Sequence, residues 1–70
     1  MNLLEFQRLL SPHTCVTLWA YPRTPALFLW AGEIEACDFS RYGDREVISV
    51  DLLNRTYYRG FYVYIDTSPQ

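Results

Sequence analysis

The chain predicts an α+β fold: a four-stranded antiparallel sheet of two hairpins, with an N-terminal helix packed on one face and a short helix or turn between the hairpins. Three observations predict it. An apolar stripe at helical spacing opens the chain behind a capping signature. Four later runs alternate with the period of a strand. Each of those runs sets an aliphatic row against a second row, and in three of them that second row is aromatic.

The helix comes first. Asn2 can cap it, and Glu5, three residues on, completes a capping-box pattern. Leu3, Phe6 and Leu10 fall at i, i+3 and i+7, with Glu5 and Arg8 turned outward. Ser11-Pro12 ends it, because a residue before proline avoids the helical region and proline cannot extend the ladder. About two and a half turns are too few to stand alone, so this helix must dock on something.

"HTCVTLWAYPRTPALFLWAG" then reads as two strands around a turn at Pro22–Pro25. The first alternates Val16, Leu18 and Ala20 with Cys15, Thr17, Trp19 and Tyr21; the second alternates Leu27, Leu29 and Ala31 with Phe28 and Trp30. The predicted register pairs Tyr21 with Ala26, Trp19 with Phe28 and Thr17 with Trp30, and sets Leu18 opposite Leu29 and Val16 opposite Ala31. In "GEIEACDFSRYGDR" acidic residues lead, Arg41 comes late, and Gly43 offers a left-handed helix stop, so a short helix or a pair of turns is expected. "EVISVDL" follows as a strand, with Ile48, Val50 and Leu52 on one side and Val47, Ser49 and Asp51 on the other. "LNRT" reads as a turn, "RTYYRGFYVYID" as the last strand, and "TSPQ" as a frayed tail.

These strands divide the sheet into two faces. The helix should cover Val16, Leu18, Leu27, Leu29, Ile48, Val50, Phe61, Val63 and Ile65. The opposite face collects Thr17, Trp19, Tyr21, Phe28, Trp30, Ser49, Tyr58, Tyr62 and Tyr64. Two tryptophans and a phenylalanine are poor choices for a face left to water, so this face is expected to be an interaction surface, for itself or for a partner. Arg59 falls on the aliphatic side by parity, which places it at the rim or beside a carboxylate.

Size and composition bound the rest. The 70 residues are read as one domain, 1–70, with 50% hydrophobic and 17% aromatic residues. A chain this short buries only about 60% of its unfolded surface, so its core is small. The net charge is −2, and nothing global draws the chain to nucleic acid or anionic lipid. Every basic side chain is arginine, and Arg41, Arg45, Arg55 and Arg59 lie within residues 41–60. "PALFLWAG", the longest apolar run, is far short of the ~20 residues that span a bilayer, and "MNLLEFQRLL" lacks the features of a leader. A cytoplasmic location is expected, with no membrane contact and reduced thiols at Cys15 and Cys37, although a bridge between them is left open.

No catalytic pattern emerges. His13 follows Ser-Pro in a turn with no nameable orienting partner, and neither cysteine has an activating context. Glu33 and Glu35, two apart, read as a solvated element start rather than paired acid and base. Two cysteines and one histidine do not make a structural zinc site. The expectation is a protein that is not an enzyme and has no cofactor and no metal. "NRTYYRG" is the nearest approach to a nucleic-acid feature, since Arg55 and Arg59 flank Tyr57 and Tyr58 and such platforms stack single-stranded bases or a nucleotide.

"NLLEFQRLLSPHTCVTLW", "FLWAGEIEACDF", "GDREVISVDL" and the alternating last strand resemble a group of small phage and prophage accessory proteins of about this length. Leu3, Phe6 and Leu10 match packing positions of that group, Gly32 a turn, and Asp44-Arg45-Glu46-Val47 a strand start. "YPRTP" and "LNRTYYRG" depart from the acidic, glycine-containing hairpin turns of the group, so the aromatic and arginine content belongs to this chain. The resemblance implies an inhibitor of host defence of the anti-CRISPR kind, which binds a host bacterial complex such as a CRISPR effector. The contact surface would then be Trp19, Tyr21, Phe28, Trp30, Tyr58, Tyr62 and Tyr64, rimmed by Arg55 and Arg59. The competing classes are a self-associating phage protein whose aromatic face is a homo-oligomer interface, and a nucleotide or single-strand binder. The partner's identity, the oligomeric state and the strand order are not readable from sequence.

Overall fold

The computed structural model describes residues 1–21, 27–55 and 58–67, apart from the side chains of 53–55 and 58. Elements follow in the order α1 (Leu3–Gln7), β1 (Cys15–Tyr21), β2 (Leu27–Glu33), a 3-10 turn (Ile34–Ala36), α2 (Phe39–Tyr42), β3 (Val47–Arg55) and β4 (Tyr58–Asp66). The helix α1 forms where expected and is capped as expected. Glu5 N–H donates to Asn2 Oδ1 at 2.8 Å, and Asn2 N–H donates to Glu5 Oε1 at 3.1 Å. It is shorter than the apolar stripe, because beyond Gln7 the chain tightens into three-residue bonds, Leu9 N–H to Phe6 O at 3.0 Å and Leu10 N–H to Gln7 O at 3.2 Å. Leu3, Phe6 and Leu10 all still reach the core.

The sheet is mixed, in the order β2-β1-β4-β3, and this corrects the antiparallel expectation. Both hairpins are antiparallel, but they join through a parallel pairing of β1 with β4, which sets Val16 beside Phe61, Leu18 beside Val63 and Ala20 beside Ile65. Alternation has the same parity in either strand direction, so the pattern could fix the faces without fixing how the hairpins join. β1 and β4 take the centre, where both edges are paired, and their Val16, Leu18, Ala20, Val63 and Ile65 are the buried members of the aliphatic face. The 3-10 turn and α2 carry the chain from one outer strand to the other across the face that α1 covers.

Two bulges revise the register. Trp19 pairs with Phe28 as predicted, but Leu18 pairs with Trp30, Thr17 with Ala31 and Val16 with Gly32. Leu29 is thus the extra residue of β2, and every position after it changes face. Trp30 therefore leaves the predicted aromatic face and packs against the core, as does Leu29. Its ring lies over Gly32, where an added Cβ would come within 3.0 Å of the indole, so Gly32 is a strand position kept bare for Trp30 and not a turn. In β3, Val47 pairs with Ile65 and Ser49 with Tyr64, leaving Ile48 as the extra residue. Val47 then packs on the core and Ile48 is exposed, the reverse of the predicted assignment. Asn54 and Arg55 belong to β3 and not to a turn, and Gly43 ends α2 at φ −62°, in the right-handed region. The predicted loop at Pro22–Pro25, the partner position Ala26, and Tyr57 lie outside the described residues, as do the last three residues of the expected tail.

The core is one cluster of Leu3, Val16, Leu18, Ile34, Cys37, Val63 and Ile65 between the central strands and the α1–α2 layer. Burying a leucine of this kind is worth about 1.5–3 kcal/mol in transfer alone. The layer does not reach the whole sheet face, because Leu27, Val50 and Leu52 are exposed although they lie on the aliphatic side. At the lower end of β1, Gly60 passes so close that a Cβ would sit 2.5 Å from the Cys15 carbonyl oxygen, which makes a bare position there a condition of the parallel pairing.

Leu18→Ala is expected to lower unfolding stability by about 2–5 kcal/mol in a urea titration. Leu52→Ala, on the same face but 69% exposed, is expected to change it by no more than about 0.5 kcal/mol.

Candidate functional site: the aromatic face of the sheet

Alternation along β1 turns Thr17, Trp19 and Tyr21 away from the helices, and alternation along β4 does the same for Tyr62 and Tyr64. Phe28 joins them because it pairs with Trp19 on the near side of the β2 bulge. The result is a row of rings that crosses the sheet. The indole of Trp19 meets Phe28 at 5.9 Å and 81°, and Tyr62 at 5.7 Å and 70°, both edge to face. Such contacts are worth about 0.5–1.5 kcal/mol each beyond their area. Tyr62 pairs in turn with Asp51 on β3, so the row ends in a carboxylate.

Among the described residues no element packs on this face. Thr17 is nevertheless only 7% exposed, while Phe28 is 55% exposed on the edge strand. The indole N–H of Trp19 is buried and has no hydrogen-bond partner among the described residues. A buried donor left unpaired costs about 1–3 kcal/mol, and the rings crowding this one offer no oxygen or nitrogen acceptor that it reaches. The face is therefore mainly aromatic, tied together by edge-on ring contacts around the Trp19 indole.

Of the nine predicted contact residues, the structure brings together Trp19, Phe28 and Tyr62, with Tyr21 and Tyr64 on the same face. Trp30 is removed to the core. The side chains of Tyr58 and Arg55 lie outside the described residues. Arg59 is exposed and pairs with Asn54 near the hairpin end, on the aliphatic side. This matches the rim position predicted for it and takes it off the aromatic face. The described charges on that face are instead carboxylates, the exposed Asp51 and the half-buried Asp66. Asp51 was legible by parity and Asp66 by extending the tyrosine row of β4 by one step.

Neither cysteine is bonded to the other. Cys37 is buried in the core, and burial, followed by the neighbouring Asp38 carboxylate, pushes its thiol from 9.0 up to about 11. Cys37 is thus a small core hydrophobe and not a nucleophile. His13, expected to stand alone, is instead beside Glu33 and Glu35. No helix among the described residues is long and apolar enough to cross a membrane. The chain matches no protein-family model, no curated protein and no solved structure.

The raised Cys37 thiol sets a direction for stability against pH. The folded state holds this proton more tightly than the unfolded state, so its contribution is complete below pH 9.0 and is lost as the pH rises towards about 11. Urea titrations across that window are expected to show falling stability, with a shallower fall in Cys37→Ser. Alkylation at neutral pH is expected to label Cys15, which is half-buried, before Cys37.

Proposed function

We propose that this chain is a non-enzymatic protein-binding inhibitor, phage-derived, that blocks a bacterial defence complex by seating the aromatic face of its sheet on the complex. The observation that carries the reading is the Trp19 centre: an edge-stacked row of rings, uncovered by any described element, holding a buried indole N–H with no partner among the described residues. Aromatic anchors of this kind dominate binding energy because they bury a large area and lose few rotamers.

The charges on the face favour one chemistry of partner. Asp51 repels phosphate, which weighs against a nucleotide or single strand as the ligand. It suits a surface rich in arginine or lysine, whose cations can also stack on Tyr62 and Trp19. Complexes that hold nucleic acid, CRISPR effectors among them, carry such basic channels. The inhibitor would act sterically, by filling a basic groove that otherwise holds nucleic acid, with Asp51 taking the place of a phosphate.

The test is capture from a bacterial lysate carrying defence complexes, followed by titration of the captured complex. Phe28→Ala and Tyr62→Ala are each expected to weaken binding by ~2 kcal/mol or more, about thirtyfold. Asp51→Asn should weaken it and flatten its salt dependence. Failure to capture a complex, or capture indifferent to both ring substitutions, would sink the reading.

A further inference from the structure

At the lower end of the sheet, away from the Trp19 centre, three side chains from two separate segments converge. His13 lies in the loop before β1, Glu33 is the last residue of β2, and Glu35 is in the 3-10 turn. Their approach is fixed by the backbone. Ile34 N–H donates to Thr14 O at 2.8 Å and Glu35 N–H to Pro12 O at 3.1 Å, which staples the loop against the start of the turn. His13 Nδ1 stands 3.3 Å from Glu33 Oε2 and 3.5 Å from Glu35 Oε1, and one ligand atom from each of the three residues lies within 4.8 Å of the others.

We propose that His13, Glu33 and Glu35 form a binding site for a divalent transition-metal ion of the zinc class. The donor set carries the choice of metal, and the distances, which in the chain itself are those of a His13–Glu33 hydrogen bond and a His13–Glu35 ion pair, allow it. Nitrogen and oxygen ligands lie about 2.0–2.2 Å from zinc, and at the corners of a tetrahedron such atoms stand about 3.3–3.6 Å apart. Both separations from His13 fall in that range, whereas neighbouring ligands of an octahedral magnesium stand closer, about 3.0 Å apart. The donor set decides, because an imidazole with two carboxylates suits a borderline cation better than the all-oxygen shell that magnesium and calcium prefer.

Electrostatics agree as well. The backbone brings two carboxylates to one imidazole, and a dication between them replaces their mutual repulsion with attraction. The side chains of His13, Glu33 and Glu35 are 75%, 50% and 51% exposed, so small rotations suffice to close the third edge of the tetrahedron. The same exposure leaves the fourth position to water. Binding at so open a site should be in the micromolar range rather than tighter.

The experiment is calorimetric titration of the untagged, reduced protein with Zn²⁺, alongside Co²⁺ absorption spectra. One saturable equivalent is expected, with a tetrahedral-type cobalt spectrum free of a sulfur charge-transfer band. His13→Ala and Glu35→Gln should each weaken binding by about tenfold or more, and Zn²⁺ should raise the thermal midpoint of the parent chain but not of His13→Ala. All three side chains are solvent-exposed, so both variants should keep the parent far-UV circular dichroism, and Glu35→Gln preserves shape if His13→Ala does not. Absence of saturable binding below millimolar Zn²⁺, unchanged affinity in the variant that folds, or a sulfur band that assigns the ion to Cys15 would overturn the site.

Discussion

The parallel contact between β1 and β4 is the constraint on which everything else in this molecule rests. Each hairpin alone is a two-stranded ribbon with one apolar face, and such ribbons are marginal in water. Joining them along β1 and β4 puts Val16, Leu18, Val63 and Ile65 side by side in the middle of the sheet, where α1, the 3-10 turn and α2 can roof them. The join also decides the architecture of the connection. Since β2 and β3 are pushed to opposite edges, the chain between them must cross the sheet, and that crossing supplies Ile34 and Cys37 to the core. Gly60 is where the join is tightest, with the Cys15 carbonyl in the space a side chain would need.

The bulges let an outer strand serve both faces. Without the extra residue at Leu29, Trp30 would stand beside Phe28's row on the open side; with it, Trp30 helps seal the flank of the core while Phe28 stays at the surface. The bulge at Ile48 works likewise on the other edge, turning Val47 inward while leaving Ser49 and Asp51 outward. Bulges also twist an edge and interrupt its ladder, which makes it a poorer template for unwanted strand pairing. One device thus sets the composition of the aromatic face and helps protect the sheet that bears it.

Much of this was legible in the residues, and the failures have definite causes. The capping box at Asn2 and Glu5, the packing of Leu3, Phe6 and Leu10, the two hairpins and the pairing of Trp19 with Phe28 follow from local spacing, which local hydrogen bonds and side-chain periodicity determine directly. The direction of the join does not, because it depends on which apolar rows need two neighbours and on a crossover whose path no local pattern records. The bulges were hidden for a different reason: one extra residue costs the alternation only a single break, and "LFLWAG" is apolar enough to read in either register. Of the aromatic face, Trp19, Phe28 and Tyr62 were readable and Trp30 was misplaced by the Leu29 bulge. The gathering of His13 with Glu33 and Glu35 was invisible, since it rests on a loop-to-turn staple between residues twenty or so positions apart.

The central pairing also governs how the chain comes to be folded. Val16 lies beside Phe61, 45 positions further on, so the contact that closes the core is among the most distant the chain makes. Each hairpin can form on its own timescale of microseconds, but neither is held until the two meet, and that meeting must first meet the entropy cost of closing a long loop. On a ribosome β1 waits with its aliphatic row uncovered until β4 has followed, and a chain stopped short of β4 would present Val16, Leu18 and Ala20 as a bare, sticky row.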